Sequence, residues 1–370
     1  MSEQEVWVLG GTGRVGLGVA SHLAERGVRL ALVGRDGQRL SSAQARVPGA
    51  RSIVLPTPAE MAAAIVEERP AVVVNTVGPF RVTANPVVEA CLAVGSHYVD
   101  LANDVASVLQ LVARHDAASA AHCTLVTGGG FGVTATESAL AKLCAGRSAP
   151  DEVRVDMVPS LANGGGVLGE ALAATLVDGL PDTPGGGRYS GRRYVHGSMV
   201  TSRLASNPER LTLPSGEEIT TSSMPLGELV AAQRISAADN VVAASSEVPA
   251  SVLVRLALPV LTGLLSVAAI RDFARRRLAR VQVRARAAPR AHSWGHARVR
   301  WADGTRGEAW IRLGEAQAYT NRVCAEIALR LLAGNVSFGA FTPVALFGPA
   351  LAESCGGEYL LSVTGASAQG

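Results

Sequence analysis

The fold of this chain is decided near its amino end, by the stretch Val6-Trp7-Val8-Leu9-Gly10-Gly11-Thr12-Gly13-Arg14-Val15-Gly16. A short apolar run leads into a cluster of glycines and then into an amphipathic segment, a pattern that predicts a strand, a tight turn and a helix. Glycines allow φ values that a Cβ forbids, and they let the backbone approach a phosphate closely. The helix that follows points its unpaired N–H groups and the positive end of its dipole at the same place. The stretch therefore predicts a site for the pyrophosphate of a dinucleotide.

Two glycine registers fit this turn, Gly11-x-Gly13-x-x-Gly16 and Gly10-x-x-Gly13-x-x-Gly16. A glycine turn between a strand and a helix often binds nothing, so the context has to decide. A second apolar run, Val28 to Val33, follows at the spacing of a βαβ unit, which favours the binding interpretation. We predict that the turn contacts the cofactor through Gly10, Gly11, Thr12, Gly13, Arg14 and Val15.

The end of the second predicted strand bears on which dinucleotide binds. An acidic residue at this place holds the ribose hydroxyls of NAD, whereas an arginine suits the 2′-phosphate of NADP. Arg35 stands at the predicted strand end and favours NADP(H). The next residue, Asp36, keeps NAD(H) open, although it is also well placed to cap a helix over Gly37–Ala45.

Composition narrows the class of protein. A length of 370 residues with 48% hydrophobic content is enough for two domains with sizeable cores. The net charge of +3 is small, and no basic tract with interleaved aromatics is present, so we expect no nucleic-acid partner. The five cysteines form no CxxC pair and no cluster with histidine, which predicts reduced thiols, no metal site and a cytoplasmic location. The acidic first residues do not resemble a signal peptide.

The chain divides by pattern into three parts. Apolar runs alternate with helical stretches over residues 1–130, as in the doubly wound parallel sheet of a Rossmann α/β domain. Residues 131–320 predict an α+β domain with a mostly antiparallel sheet, and Ala302-Asp303-Gly304-Thr305 marks a hairpin turn within it. We expect residues 321–370 to begin with a helix and to pack back on the first domain.

Ligands in such sheets bind at the carboxyl ends of the strands. One predicted strand end is Asn75-Thr76-Val77-Gly78-Pro79-Phe80, where Asn75, Val77, Gly78 and Pro79 are candidates for contact with the nicotinamide ribose, although turn chemistry explains the same residues. The next strand end carries Tyr98 and Asp100, which are candidate catalytic groups. Tyr98 could instead pack beneath the loop with its hydroxyl on a backbone carbonyl. From the second domain we add His196 as a candidate proton donor.

These segments resemble the saccharopine dehydrogenase-like NAD(P)-binding oxidoreductases, and among them the branch of the trans-acting enoyl reductases. The resemblance rests on the Gly10–Gly16 turn, the Asn75–Phe80 loop, the Tyr98-Val99-Asp100 strand end, the Gly128–Gly132 crossing and Gly339-Ala340-Phe341-Thr342-Pro343. It implies that Tyr98 and Asp100 match the family's Tyr-x-Asp, with Asp104 in the place of a usual glutamate. It also implies that the second sheet covers the active site and builds a homodimer.

A run of 15 uncharged, mostly apolar residues, Leu256–Ile270, precedes an arginine cluster. It is shorter than the ~20 residues that a membrane span needs, and it contains Pro259 and Gly263. A helix buried in the domain or in a dimer interface explains the run. The functional alternatives are a wall for an acyl chain or a peripheral membrane contact through residues 256–270.

We therefore expect an NADPH-dependent reductase of an activated C=C (enoyl) or C=N (imine) bond, acting on a small-molecule or carrier-bound biosynthetic intermediate. An amino-acid-derived imine would require arginines that bind a carboxylate, for which Arg188, Arg192 and Arg193 are candidates. The alternatives are an amino-acid dehydrogenase like saccharopine dehydrogenase, and a scaffold protein that binds NADP(H) without turnover.

Overall fold

The computed structural model describes residues 4–162, 166–167, 190–248, 263–265, 267–283 and 289–364. The chain divides into two compact units. The first unit consists of Met1–Ala102, Ser107–Phe131 and Gln317–Phe347, and the second consists of Asn103–Ala106, Gly132–Ala316 and Gly348–Gly370. The segment predicted to return as one piece, 321–370, is thus shared, because only its part up to Phe347 belongs to the first unit.

Strands and helices alternate through the amino-terminal part of the chain. In order they are β1 (Glu5–Leu9), α1 (Arg14–Ala24), β2 (Arg29–Gly34), α2 (Gly37–Gln44), β3 (Arg51–Val54), α3 (Pro58–Glu68), β4 (Val72–Asn75), α4 (Phe80–Val94), β5 (His97–Asp100), α5 (Val105–Val112), α6 (His115–Ala120) and β6 (Thr124–Val126).

The described elements of the middle part are mostly strands. They are α7 (Phe131–Cys144), β7 (Glu152–Val158), β8 (Gly166–Val167), β9 (Gly191–Val195), β10 (Ser198–Ser202), β11 (Glu209–Thr212), β12 (Glu218–Ser223), α8 (Gly227–Ser236), β13 (Asn240–Ser245), α9 (Ala268–Ala279), β14 (Gln282–Val283), β15 (Ser293–Arg300) and β16 (Arg306–Leu313). The carboxyl-terminal part adds α10 (Ala316–Leu332), β17 (Gly339–Phe341), α11 (Pro343–Phe347), α12 (Ala350–Ser354) and β18 (Glu358–Thr364).

The first unit is built on a seven-stranded sheet in the order β17-β6-β5-β4-β1-β2-β3. Every pairing in it is parallel, which confirms the predicted doubly wound α/β domain. β1 lies between β2 and β4, so that Leu9 stands opposite Val33 on one side and Asn75 on the other. All four residues of β4 are buried, as expected for a strand covered on both faces. This order brings the ends of β1, β2, β4 and β5 to one edge of the sheet.

The second unit contains a mostly antiparallel sheet, as predicted. Its main order is β10-β9-β13-β7-β15-β16-β18, with β11 and β12 joined at β13. The one parallel pairing among its described strands is that of β13 with β7. The predicted hairpin is confirmed, because β15 and β16 pair in register around the turn after Trp301. β18 pairs with β16, which is why the end of the chain belongs to this unit.

One face of this sheet contains a buried cluster of charges. Asp156 accepts hydrogen bonds from the Arg154 guanidinium (Nε to Oδ1, 3.0 Å) and from Thr221 (2.6 Å), and it lies 2.9 Å from Nδ1 of His296. The second ring nitrogen of His296 lies 2.8 Å from Glu308, and Trp310 stacks on the ring. Burial alone would lower the pKa of His296, but the two carboxylates raise it and favour the protonated ring. The same contacts hold the pKa of Asp156 well below its usual range despite its burial.

Several sequence-based predictions fall outside the described residues. They include most of the apolar run 256–270 and Arg188. In the described part of this region, α9 contains no buried residue, and Phe273 on it is 65% exposed. Among the described helices, none is both long and apolar enough to cross a membrane.

All five cysteines are free thiols, and the described residues contain no group of three or more potential metal-ligating side chains.

Candidate functional site

The glycine turn after β1 is fixed by hydrogen bonds to the end of β2. Gly10 takes a φ of +78°, in the region that side chains disfavour. The N–H groups of Gly10 and Gly11 both donate to the carbonyl oxygen of Val33, at 2.9 and 3.1 Å. The N–H of Gly13 then donates to the Gly10 carbonyl at 2.8 Å, which closes the turn.

The backbone of α1 packs against this turn at Gly16. A Cβ on Gly16 would lie 2.3 Å from the carbonyl oxygen of Gly10, far inside van der Waals contact. A Cβ on Gly13 would lie 3.2 Å from the same oxygen. Of the two registers in the sequence, the one with Gly10, Gly13 and Gly16 therefore contains the glycines that contact one another.

The amino end of α1 fits a phosphate. Its N-cap is Gly13, no side chain caps it, and its first turn contains no acidic residue. The first N–H groups of a helix have no partner within the helix, and the helix dipole adds positive charge there. Arg14 is exposed in this first turn, while Thr12 and Val15 beside it are half-buried. The predicted contact residues Gly10 to Val15 thus form one backbone-lined site suited to a diphosphate.

The end of β2 presents Arg35 and Asp36, both exposed. The side chain of Asp36 is already used, because its Oδ1 accepts from the N–H groups of Gln38 (3.0 Å) and Arg39 (3.1 Å) as the N-cap of α2. A capping carboxylate is held against the helix end and is poorly placed to bind ribose hydroxyls. This geometry favours Arg35 as the determinant at this position and a 2′-phosphate as its partner.

The ends of β4 and β5 are linked by a buried polar network. Tyr98 is fully buried, and its hydroxyl donates to Oδ2 of Asp100 (3.0 Å) while it accepts from Nδ2 of Asn75 (3.1 Å). Asn75 in turn accepts from the N–H of Val77 at 3.0 Å, which fixes the start of the Val77-Gly78-Pro79 loop. The structure therefore brings Asn75, Tyr98 and Asp100 together within the edge of the sheet.

Asp100 is surrounded by donors. Besides Tyr98, it accepts from the N–H of Ala102 (3.0 Å), the hydroxyl of Thr127 (2.8 Å) and the N–H of Gly128 (3.3 Å). Burial raises the pKa of Asp100 to about 6, and these hydrogen bonds keep the rise from being larger. Burial and the nearby Asp100 carboxylate raise the pKa of the Tyr98 hydroxyl well above its usual value. A phenol in this state is a weak acid, so the geometry favours Tyr98 as a brace between strands rather than as a proton donor.

The remaining candidates lie in the second unit and do not form one group. His196 is exposed in the turn between β9 and β10, with a φ of +48°. The side chain of Arg192 is buried and donates to the carbonyl oxygens of Ser190 and Gly191, at 2.8 and 3.1 Å. Arg193 is exposed on the same strand. A solvent-exposed histidine in a hairpin turn is common, so the position of His196 does not by itself indicate a catalytic role.

Sequence reasoning missed Glu228, the second residue of α8. It is buried, and neither of its carboxyl oxygens has a hydrogen-bond partner. Burial raises its pKa to about 7. A glutamate in the first turn of a helix is common, because it complements the helix dipole, so no local pattern distinguishes this one.

Comparison with known proteins agrees with this geometry. Residues 6–126 match the family model of the saccharopine dehydrogenase NADP binding domain. This part of the chain, residues 6–126, is therefore similar to that family. The cofactor of this NADP-binding domain is accordingly NADP(H), as Arg35 and the capping role of Asp36 predict.

Two relatives extend the comparison. A trans-acting enoyl reductase from Mycobacterium ulcerans (strain Agy99) is 35% identical over 109 residues, which are 28% of this chain and 26% of that protein. The match thus spans about a quarter of the length of the curated relative. Saccharopine dehydrogenase (L-Glu forming) from Saccharomyces cerevisiae is similar in structure, with a TM-score of 0.59 over 98% of this chain and 100% of that chain. At 13% identity, this second similarity shows a common fold.

The first prediction concerns Gly16. In the variant Gly16→Ala the new methyl group would meet the Gly10 carbonyl at 2.3 Å, so the turn must shift. We expect a loss of about 1–3 kcal/mol in the free energy of unfolding and an at least tenfold weaker Kd for NADPH in a fluorescence titration. Gly314→Ala is the control, because nothing lies within 4 Å of its Cβ position. Unchanged NADPH affinity in Gly16→Ala would contradict this assignment of the turn.

The second prediction concerns Arg35. Removing one charged partner of a phosphate costs about 1.5–3 kcal/mol, or roughly a 10- to 100-fold weaker Kd. We expect Arg35→Ala to lose this much affinity for NADPH and little for NADH, measured by fluorescence titration of both. Arg26→Ala, an exposed arginine just beyond the other end of α1, should change neither. An equal loss for both coenzymes would show that Arg35 does not contact the 2′-phosphate.

The third prediction separates two roles for Tyr98. Tyr98→Phe removes a hydroxyl that bonds to both Asp100 and Asn75, so we expect the free energy of unfolding to fall by about 1–3 kcal/mol. If the hydroxyl is a brace, kcat changes by less than about tenfold, whereas loss of a proton donor costs about 10²–10⁴-fold. Urea unfolding and steady-state NADPH oxidation measure the two effects. The control Tyr359→Phe removes a hydroxyl that donates to the Pro349 carbonyl in the second unit.

Proposed function

We propose that this protein is an NADPH-dependent reductase of an activated C=C bond, such as that of an enoyl thioester, in a small-molecule or carrier-bound biosynthetic intermediate. The observation that carries the proposal is the uncapped α1 turn, which lies within a segment that matches an NADP-binding domain family. The name of the curated relative from Mycobacterium ulcerans supports the choice of an enoyl acceptor. That relative matches over 109 residues, so the reaction of the whole chain is our proposal.

Different residues of the first unit would bind different parts of the coenzyme. Backbone N–H groups at the amino end of α1 would hold the diphosphate, and Arg35 would hold the 2′-phosphate. The Asn75–Pro79 loop, fixed by the bond from Val77 N–H to Asn75, would hold the nicotinamide ribose. When bound, NADPH supplies a hydride, and the protein has to orient the acceptor and provide a proton.

Reduction of a C=N bond is the second candidate. It is favoured by the structural similarity to a saccharopine dehydrogenase, which shows a common fold. An amino-acid-derived imine brings a carboxylate, for which a free pair of arginine donors would be expected. Nη1 of Arg192 instead donates to the carbonyl oxygens of Ser190 and Gly191, the two residues before it. This contact makes Arg192 less available to a substrate carboxylate, whereas Arg193 on the same strand is exposed.

The fourth prediction tests the reaction class. Purified protein should oxidise NADPH in the presence of α,β-unsaturated acyl thioesters and yield the saturated product, detected by mass spectrometry with a deuteride label from the coenzyme. Imines derived from amino acids should react at least about tenfold more slowly, as kcat/KM. Tight NADPH binding without oxidation against either class would instead favour a scaffold protein. Faster reaction of the imines would reverse the order of the two candidates.

A further inference from the structure

The helix α9 of the second unit lies entirely on the surface. None of its residues is buried, although a helix of a folded unit normally buries an apolar face. Phe273 is 65% exposed, and the neighbouring large apolar side chains are exposed as well, namely those of Leu264, Val267, Ile270 and Val281. Single apolar side chains are ordinary on a protein surface, but a cluster of them in one short segment indicates a surface for contact.

The same helix is strongly basic. Residues 268–280 contain five arginines and one acidic residue, Asp272, so the segment has a formal charge of +4. The whole chain has a net charge of only +3, which means that its positive charge is concentrated here. Four of the five arginines are exposed, namely Arg275, Arg276, Arg277 and Arg280. A surface that covers this helix therefore has to be negatively charged.

Apolar and basic side chains share one side of α9. Residues three or four positions apart in a helix lie on the same side. Val267 at the N-cap is therefore followed on its side by Ile270, and Ile270 by Phe273. Phe273 is followed in the same way by Arg276 and Arg277. The exposed side of the helix thus changes from apolar at its amino end to basic at its carboxyl end.

This mixture distinguishes the surfaces that could cover α9. A guanidinium buried against another protein needs a matching carboxylate, because an unpaired buried charge is costly. A second copy of this chain that paired helix to helix would bring one segment of charge +4 against another, and the like charges would repel. At a lipid surface, an arginine keeps its stem along apolar groups while its guanidinium binds the headgroup phosphate. Arginines within one turn of Phe273 therefore favour a lipid surface.

We propose that α9 binds the surface of a membrane that contains anionic lipids. Ile270 and Phe273 enter the boundary between headgroups and acyl chains, and Arg276, Arg277 and Arg280 contact the headgroup phosphates. The helix has 12 residues, fewer than the ~20 that cross a bilayer, and helices of this composition lie in the plane of the interface. The proposal is independent of the proposed function, because it requires neither coenzyme nor turnover.

Two kinds of interaction contribute to this binding, and they respond differently to salt. Each arginine near an anionic surface strengthens binding by about fivefold, and dissolved salt screens this attraction. Burial of the exposed apolar side chains in the interface does not depend on charge. Wild-type protein should therefore co-sediment with vesicles of phosphatidylcholine and phosphatidylserine at low salt. Vesicles of phosphatidylcholine alone should bind at least tenfold less, and so should the anionic vesicles at about 0.5 M salt.

The fifth prediction concerns variants of this helix in the same vesicle assay. The double variant Arg276→Gln with Arg277→Gln should bind anionic vesicles about 25-fold more weakly, since two charges are lost. Replacing both arginines by lysine keeps the charge and should retain most of the binding. The matched control is Arg26→Gln with Arg46→Gln, which removes two charges from exposed positions of the first unit and should change binding by less than about twofold.

The apolar part of the surface is tested at Phe273. Phe273→Ser should weaken binding at least about fivefold, whereas Phe273→Leu should retain most of it. Insertion itself is measured with Phe273→Trp, because all four tryptophans of the chain are buried, namely Trp7, Trp294, Trp301 and Trp310. We expect the emission of the added indole to shift to shorter wavelength on anionic vesicles and to be quenched by brominated acyl chains.

Three results would overturn the proposal. The first is equal binding of wild type to neutral and anionic vesicles, or to neither. The second is unchanged binding of Phe273→Ser, which would show attraction by charge without insertion. The third is a dimer in sedimentation velocity that Phe273→Ser converts to monomers, which would show that a second copy covers α9. All variants should melt at the wild-type temperature, because no residue of α9 is buried, so a loss of binding is distinguished from unfolding.

Discussion

The close approach of α1 to the carbonyl of Gly10 is the contact on which the first unit depends. Because Gly16 has no side chain, the helix can begin directly over the turn. The turn itself is held from both neighbours of β1. Val33 on β2 accepts from Gly10 and Gly11, and the hydroxyl of Thr76, just after β4, donates to the Leu9 carbonyl at 2.8 Å. Binding a diphosphate therefore requires little rearrangement of the backbone, which is the main advantage of a preformed site.

The polar residues at the neighbouring strand ends also contribute to a preformed site. The network from Asn75 through Tyr98 and Asp100 to Thr127 crosses from β4 to β5 and to the residue after β6. These hydrogen bonds all lie within the edge of the sheet, and a buried network whose polar groups are hydrogen-bonded makes a structure rigid. In this interpretation Tyr98 and Asp100 serve the coenzyme site indirectly, because they fix the loop that begins at Val77.

Local patterns in the sequence were sufficient to predict the parallel sheet of the first unit, but they predicted less of the structure of the second unit. A glycine turn between periodic segments is a local signal, and so is the apolar run of β4, so the parallel sheet could be predicted. The hairpin around Asp303 was equally local. The sharing of residues 321–370 could not be predicted, because only the pairing of β18 with β16 assigns the end of the chain to the second unit. Glu228 was missed for the same reason, since its environment is made by residues distant in sequence, Asn103, Gly132 and Met157.

Three buried carboxyls of this protein show how partners, rather than burial, determine the role of an acid. Asp156 is held by Arg154, Thr221 and His296, and its pKa lies well below the usual range. Asp100 accepts four uncharged donors, and its pKa rises to about 6. Glu228 has no donor in hydrogen-bonding geometry, and its pKa reaches about 7. The first two are tied into the structure and would lose those bonds if they gave up or took a proton. Glu228 differs from both, because a change in its protonation state breaks no hydrogen bond that holds the fold together.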